Sequence, residues 1–434
     1  MARFTDILDR LPGGALVKRA ALLGSGAAVG QAAVIGATPL LARIYGPADF
    51  GVLAVFLAVS GVSVVVSALR YEQAILVAES DEEASAVVKA SAWCVLLSVT
   101  LASIAALAGG DALARFTSTP AIADLLWLLP VTVAAGGIHQ IMVAWATRAG
   151  NFSVLSRSKA VLGISLAASQ LFLGVIVDGA HGLVVGVAAS LILTIIVLIP
   201  AMKGLSLARD HDAWHAAVRY RQFPQFGLWA SLLNRGALEI PSVALAALYG
   251  PEVAGAFLLA VRVVATPTRL ITESAYQVYV NEASRLQREE PSAMYTLFVR
   301  TLGRLVRLAV PLAVLLAVAG PWGFGIVFGP DWAEASAQVR LLAPLLVAML
   351  ITQPVAGTLW ITVRLDLQLM REVVRVTLVI GAFLLAWQFA LDSHAAVGAY
   401  VLAMVSGYGL LLILCRNVLR DPNRLATTAA LAPA

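Results

Sequence analysis

Long apolar stretches separated by short polar segments fill almost the whole chain. About twelve of them hold roughly 20 residues each, enough to cross the ~30 Å hydrocarbon core of a bilayer as helices. The predicted spans lie near 20–43, 50–69, 85–108, 121–146, 159–177, 182–202, 223–249, 252–279, 303–320, 335–361, 372–391 and 395–415. A backbone in hydrocarbon must satisfy its own hydrogen bonds, so apolar runs of this length form helices. The pattern therefore predicts an all-α polytopic membrane protein.

The composition excludes a soluble protein of this size. Of the 434 residues, 60% are hydrophobic and 13% are charged, and the mean hydropathy is +0.88. Soluble domains typically hold about 25% charged residues. The functional question is therefore what passes through or across the membrane.

The placement of charge predicts the orientation of the helices. Most of the 30 lysine and arginine residues fall in alternate connections, and we count Arg371 and Arg375 among them. The opposite connections hold Arg43 and Arg115 as their clear basic residues. Under the positive-inside rule, both termini and the 203–222 loop are cytoplasmic. The net charge of +5 is thus a topological signal, and we expect no nucleic acid partner.

A short motif recurs at the same place in each half of the chain. Tyr45-Gly46-Pro47 followed by Gly51 returns as Tyr249-Gly250-Pro251 followed by Gly255. Each copy links the first predicted span of its half to the second. Six spans precede the second copy, so both halves enter the membrane from the same side. We therefore predict two parallel six-helix lobes related by an axis along the membrane normal.

The repeat sets the predicted domain boundaries. We expect an N-lobe over 1–205, a cytoplasmic linker over 206–222 and a C-lobe over 223–434. The N-lobe also includes a predicted interfacial helix, whose apolar residues follow helical spacing. These residues are Phe4, Ile7, Leu8 and Leu11.

Polar residues inside the predicted spans of the C-lobe indicate where a polar substrate would bind. One helical face of the eighth span carries Arg262, Thr266, Arg269, Glu273 and Gln277, and Pro267 interrupts that helix. A charge at the centre of a membrane helix costs at least ~2.5–3.5 kcal/mol, so it normally faces a cavity or a partner. Arginine stays protonated and engages phosphate through two parallel hydrogen bonds.

The seventh span adds Asn234, Arg235 and Glu239. The helical rise places Arg235 about 21 Å and Arg262 about 16 Å from the predicted periplasmic ends of their spans. We therefore predict that both arginines lie near the midplane and contact an anionic substrate.

A structural role for these charges is the alternative. Arg235 with Glu239, and Arg269 with Glu273, have the i,i+4 spacing of helical ion pairs that only hold the bundle together. No acidic residue stands three or four positions from Arg262 in the sequence. Glu239 and Glu273 are also candidate proton-coupling residues.

The predicted spans of the N-lobe carry polar but mostly uncharged residues. Gln31 aligns with Arg235, and His139 aligns with Gln353, when the two halves are superposed. We include Gln31 and Gln353 among the candidate cavity residues. His139 is either a proton carrier or an interhelical hydrogen-bond donor. The cores of these spans lack acidic residues, which argues against a cavity for cationic drugs.

We expect no catalytic residue, no metal and no cofactor. Cys94 and Cys415 lie far apart, which gives no support to a disulfide or a metal site. His211 and His215 have the i,i+4 spacing of metal ligands, but they stand in a polar loop next to the membrane. The sequence contains no Gly-x-x-x-x-Gly-Lys-Ser/Thr loop for a nucleotide phosphate.

Three motifs carry a resemblance to a known family. They are the run Pro39–Gly51, the run Leu69-Arg70-Tyr71-Glu72-Gln73-Ala74-Ile75-Leu76, and Phe328-Gly329-Pro330-Asp331-Trp332 followed by Ala343-Pro344. The chain resembles the Wzx-like oligosaccharide and polysaccharide flippases of the superfamily that contains MATE exporters and the lipid II flippase MurJ.

The resemblance implies a function and a location. It implies a V-shaped pair of six-helix bundles in the bacterial inner membrane. Such a protein moves undecaprenyl-pyrophosphate-linked oligosaccharide to the periplasmic leaflet, for polysaccharide, O-antigen or exopolysaccharide export. The implied partners are the lipid-linked oligosaccharide, membrane lipid and other polysaccharide-assembly proteins.

Two other classes stay open at this point. The first is a MATE-type small-molecule or multidrug exporter, which the uncharged N-lobe spans disfavour. The second is a membrane polysaccharide polymerase or ligase, which would need a sizeable periplasmic loop with catalytic polar residues. The longest predicted periplasmic loop, near 320–334, is short and dominated by Gly, Trp and Phe.

Overall fold

The computed structural model describes residues 14–206, 209–362 and 364–420. The predicted interfacial helix with Phe4, Ile7, Leu8 and Leu11 lies outside the described residues. Helices dominate the described part of the chain, which contains no β-strand. The chain divides into two compact units, Met1–Arg235 and Gly236–Ala434. The lobe boundaries at 205 and 223 stay a prediction.

The helices up to the linker all belong to the first unit. They are α1 (Gly14–Ile44), α2 (Pro47–Ser67), α3 (Tyr71–Ala74), α4 (Asp81–Phe116), α5 (Leu128–Arg148), α6 (Phe152–Ile176), α7 (His181–Leu198) and α8 (Asp210–Arg219). Short 3₁₀ turns at Pro120–Leu125 and Ile199–Met202 precede α5 and follow α7. A π turn at Phe223–Gly227 leads to α9 (Leu228–Tyr249), in which the first unit ends.

The remaining helices belong to the second unit. They are α10 (Pro251–Glu289), α11 (Ala293–Phe328), α12 (Ala333–Thr352), α13 (Thr358–Ile361), α14 (Leu365–Gln388) and α15 (Ser393–Leu419). A 3₁₀ turn at Pro330–Trp332 precedes α12.

Nine helices of the described chain are long and apolar enough to cross a membrane. Three further long helices, α9, α10 and α14, also coincide with predicted spans. Each of these three carries charged residues within its length. The prediction of an all-α polytopic membrane protein is therefore confirmed, and the charged spans are concentrated in the second half of the chain.

Close contact between α1 and α6 depends on glycine. A side chain at Gly26 or Gly30 of α1 would collide with the backbone of α6, and one at Gly163 of α6 would collide with the backbone at Gly30. The hydroxyl of Ser156 donates a hydrogen bond of 2.6 Å to the carbonyl of Leu22 at the same crossing. Small residues let membrane helices approach to backbone contact, where van der Waals packing replaces the hydrophobic effect.

The repeated tyrosine makes the same kind of contact in both halves. The hydroxyl of Tyr45 donates to the carbonyl of Gln170 in α6 at 2.8 Å. The hydroxyl of Tyr249 donates to the carbonyl of Leu391, just after α14, also at 2.8 Å. In each half, the motif thus connects the turn between the first and second long helices to the fifth long helix or its end.

The second family motif forms a strained turn after α2. Leu69 and Arg70 both have positive φ, 49° and 66°, which costs energy for residues other than glycine. Arg70 pairs with Glu72 at 3.1 Å, and the hydroxyl of Tyr71 donates to the carbonyl of Ala217 at 2.9 Å. Arg148 of α5 donates to the carbonyls of Ile75 and Ala78, which follow α3. These bonds hold the turn in place.

Two segments that follow predicted spans are helical. The linker 206–222 contains α8, which packs on α4 through the buried Ala213 and Ala216. Helix α10 extends beyond the span predicted at 252–279, as far as Glu289. There Arg285 reaches Glu282 and Glu289 at 2.5 and 2.8 Å, and i,i+3 and i,i+4 ion pairs of this kind favour the helix.

Candidate functional site

The predicted polar stripe lies on α10, in the second unit. Arg262 is half-buried, whereas Arg269, Glu273 and Gln277 are exposed. The side chains of Thr266 and Pro267 lie outside the described part of the chain. Arg262 stands eleven residues from the start of α10, which corresponds to about 16 Å along the axis. The depth of this arginine in the membrane stays a prediction.

Arg269 does not form the helical ion pair that its spacing allows. No ion pair joins Arg269 and Glu273, both of which the structure describes. Glu273 instead accepts a hydrogen bond of 3.4 Å from the amide of Gln277. The alternative in which these two charges only neutralise each other thus receives no support from the geometry.

Arg235 lies against the backbone of α2, inside the first unit. A Cβ atom on Gly61 of α2 would stand 2.5 Å from Nη2 of Arg235 and 2.9 Å from its Nε. The Nε atom is shielded from solvent. On the same helix, Asn234 is exposed and Glu239 is half-buried.

The predicted uncharged residues take separate positions. Gln31 on α1 and His139 on α5 are half-buried in the first unit. The neighbour of His139, Gln140, donates from its amide to the carbonyl of Val64 in α2 at 3.0 Å. Gln353, directly after α12 in the second unit, is also half-buried. That these residues share one cavity with the arginines stays a prediction.

A buried ionic cluster in α14 corrects the charge count. Arg371, Glu372 and Arg375 are 5%, 4% and 3% exposed. The carboxylate of Glu372 pairs with Arg371 through one oxygen and with Nη2 of Arg375, at 2.5 Å, through the other. The charge pattern places Arg371 and Arg375 in a connection, but both lie within α14 and are buried in the second unit. The side of the membrane on which they lie stays a prediction. The three-residue spacing of Glu372 and Arg375 was the sequence signal for the cluster.

Arg375 also lies over a glycine. A Cβ atom on Gly407 of α15 would stand 3.0 Å from Cγ of Arg375. The next residue, Tyr408, lines a mostly apolar cavity of about 580 Å³ that α11, α12 and α15 form. The polar side chains of that cavity are Arg340, Thr352 and Tyr408. The ionic cluster therefore adjoins a space suited to an apolar chain.

Charged groups at the helix ends pair with one another. Arg219 of α8 reaches Glu79 and Glu83 at 2.5 and 2.9 Å, and these carboxylates raise the pKa of Arg219. The guanidinium of Arg364 lowers the pKa of Asp366 to about 2 through its hydrogen bonds. These pairs lie at the ends that we predict to be cytoplasmic. The pairs of Arg219 link α8 to the start of α4, whereas Arg364 and Asp366 pair locally.

Solved structures share this fold across nearly the whole chain. A multidrug resistance MATE family transporter of the MOP superfamily, solved in an inward-facing conformation, gives a TM-score of 0.71 at 13% identity. The comparison covers 93% of this chain and 96% of that one. The lipid II flippase MurJ, in an inward closed conformation, gives a TM-score of 0.73 at 13% identity and covers 94% and 90%.

A third similar structure is a MOP superfamily transporter from Pyrococcus furiosus, whose binding pocket is described as having reverse polarity. It gives a TM-score of 0.52 at 14% identity, and the comparison covers 98% of both chains. At these identities the structures establish a common fold. Among curated protein sequences, none matches the chain significantly.

The sequence model of one protein family matches residues 40–337, which is well over half of the chain. That family is described as polysaccharide biosynthesis protein. The resemblance to Wzx-like flippases is thereby confirmed at the level of family and fold. The chain belongs to the polysaccharide biosynthesis protein family, and it has the fold of the MOP superfamily transporters.

Proposed function

We propose that the protein is a flippase for undecaprenyl-pyrophosphate-linked oligosaccharide. It moves this lipid from the cytoplasmic to the periplasmic leaflet of the bacterial inner membrane by alternating access. The observation that carries the proposal is the family match over residues 40–337 on a MOP transporter fold. A polysaccharide biosynthesis family with a transporter fold supports a lipid-linked sugar as the cargo.

The charged helices supply the chemistry that such a cargo needs. A pyrophosphate must cross hydrocarbon with its negative charge, and an isolated charge in that medium is costly. Arg235 lies about 21 Å along α9 from its end at Tyr249, and Arg262 lies about 16 Å along α10 from its start at Pro251. We infer that both cations lie near the midplane of the membrane. Their guanidinium groups can bind two phosphate oxygens at once and stay charged throughout. Arg269 extends the positive path by about 10 Å along α10.

Three uncharged residues are the candidates for binding the glycan. Asn234, Gln31 and Gln353 offer amide donors and acceptors to glycan hydroxyls. Glu239, Glu273 and His139 are the candidates for coupling transport to protons, because carboxylates and imidazole are the usual proton carriers in transporters. The mechanism requires no covalent step, so binding and release alone move the head group.

Arg262 provides the direct test. Arg262→Ala should reduce polysaccharide export at least about tenfold, since a hydrogen bond to a charged group contributes roughly 1.5–3 kcal/mol. Arg262→Lys keeps the charge but loses the planar two-bond geometry, so we expect partial export. Arg262→Glu should abolish export through repulsion of the head group. Export is measured in a complemented deletion strain and normalised to the amount of protein in the membrane.

A second arginine of the same helix serves as the matched control. Arg285 lies near the end of α10 and pairs with Glu282 and Glu289, so Arg285→Ala should leave export unchanged. Wild-type export by Arg262→Ala would refute the role of Arg262. Altered drug tolerance of the deletion strain, without accumulation of lipid-linked sugar on the cytoplasmic side, would favour a MATE-type exporter instead.

A further inference from the structure

Gly61 on α2 lies directly under the guanidinium of Arg235. A Cβ atom at this position would come within 2.5 Å of Nη2, 2.9 Å of Nε and 3.1 Å of Cζ. Favourable contact between such atoms needs roughly 3.5 Å or more. The guanidinium therefore occupies the volume that any side chain at position 61 would fill.

We propose that Gly61 is a positioning residue that fixes the place of the Arg235 guanidinium. This inference rests on the proposed function, in which Arg235 contacts the pyrophosphate. Because glycine has no side chain, the planar guanidinium packs directly on the backbone of α2, and this contact restricts its position. Glycine is the residue that permits such close approach to a backbone. A lysine ammonium is narrower and not planar, so it would not pack on Gly61 in the same way as the guanidinium.

The contacts of Gly61 also identify the atoms that a larger residue would displace. The three nearest atoms that a Cβ at position 61 would meet on other segments all belong to the tip of the Arg235 side chain. The arginine has four flexible side-chain bonds, so its tip can move aside without a change in the helix. Gly61→Ala should therefore displace the guanidinium by about 1 Å while leaving the fold intact. Alanine also favours a helix more than glycine does.

The experiment is a double-mutant cycle on the purified full-length protein. Its probe is undecaprenyl diphosphate, which carries the head group without a glycan, and undecaprenyl monophosphate serves as a comparison. Affinity is titrated for the wild type, Gly61→Ala, Arg235→Ala and the double variant. The matched control is Gly36→Ala, because Gly36 is also inside a helix of the first unit and has open space around its Cβ position.

We expect Gly61→Ala to weaken diphosphate binding about tenfold, which is the loss of one charge-assisted contact. Arg235→Ala should weaken it at least as much, and the double variant should bind like Arg235→Ala. In an Arg235→Lys background, Gly61→Ala should cost less than in the wild type. Gly36→Ala should bind with wild-type affinity.

Several results would overturn the inference. One is wild-type affinity of Gly61→Ala. Another is a double variant whose loss of binding free energy equals the sum of the losses in the two single variants. A Gly61→Ala protein that fails to fold would also overturn it, since the clash would then fall on the backbone. If Arg235→Ala itself binds both lipids like the wild type, the proposed role of Arg235 fails. If Arg235→Ala loses affinity but Gly61→Ala does not, only the role of Gly61 is refuted.

Discussion

The ionic cluster in α14 predicts a large effect of a small substitution. Glu372→Gln keeps the shape of the side chain and removes its charge. Arg371 and Arg375 would then face each other in the interior of the second unit, where both are at most 5% exposed. The single carboxylate that now pairs with both of them would be gone.

The size of the effect follows from the burial of the three groups. Removing one partner of a buried ion pair costs about 3–5 kcal/mol, because the remaining charge loses its compensation. For a unit of this size, each kcal/mol lowers Tm by roughly 2–4 °C. We therefore expect Glu372→Gln to lower Tm by roughly 6–20 °C. Thermal unfolding of the purified protein in detergent, followed by tryptophan fluorescence, measures this shift.

An exposed glutamate of the same unit gives the control. The side chain of Glu282 is 42% exposed and pairs with Arg285 at 2.5 Å, so Glu282→Gln tests the same chemical change at the surface. Exposed ion pairs contribute little to stability, and we expect a much smaller fall in Tm. A repair variant that replaces Arg371, Glu372 and Arg375 by methionine should recover most of the loss, because apolar replacement of a buried ion network is often neutral or stabilising. Equal shifts for Glu372→Gln and Glu282→Gln would refute the reasoning.

Three other predictions test topology and packing. A single cysteine at Asp331 should react with an impermeant thiol reagent in intact cells, whereas cysteines in the 203–222 loop should not; the reverse pattern would invert the proposed orientation. Tyr249→Phe removes one hydrogen bond of about 1 kcal/mol, so Tm should fall by a few degrees, and an unchanged Tm would show that the bond is not stabilising. Gly163→Val should prevent accumulation in the membrane, because its side chain meets the backbone of α1, while Gly36→Val should accumulate normally.

Element type and order were predictable from the sequence because a bilayer leaves few alternatives. Apolar runs of about 20 residues must be helices in hydrocarbon, and each predicted span coincides with a described helix. The ends were less predictable. The span predicted at 335–361 ends as a helix at Thr352, and α10 continues to Glu289. Hydropathy locates the apolar centre of a helix, whereas polar extensions depend on ion pairs and on neighbouring helices.

The chemistry within the bundle was less accessible to sequence reasoning. Arg371 and Arg375 stand near the edge of an apolar run, where basic residues usually mark the cytoplasmic side. Only the packing of α14 within its unit shows that they are buried with Glu372. The contact of Gly61 with Arg235 joins residues far apart in the chain. No local sequence pattern predicts such a contact, because the sequence shows only a glycine in an apolar helix and does not show which side chain packs on it.

The two halves of the chain share a mechanical joint but differ in charge. Tyr45 and Tyr249 each tie the first helical joint of their half to a carbonyl near the fifth long helix. The charged helices α9, α10 and α14 belong to the later half, while the long helices of the first half are apolar enough to be candidate spans. Each half needs its first helical connection to be held in place, so both halves keep the tyrosine contact. One anionic head group, in contrast, needs cations from only one half. We therefore expect that exchanging the repeated tyrosines for phenylalanine lowers stability in both halves. Among arginine substitutions, we expect loss of transport without loss of stability only in the later half.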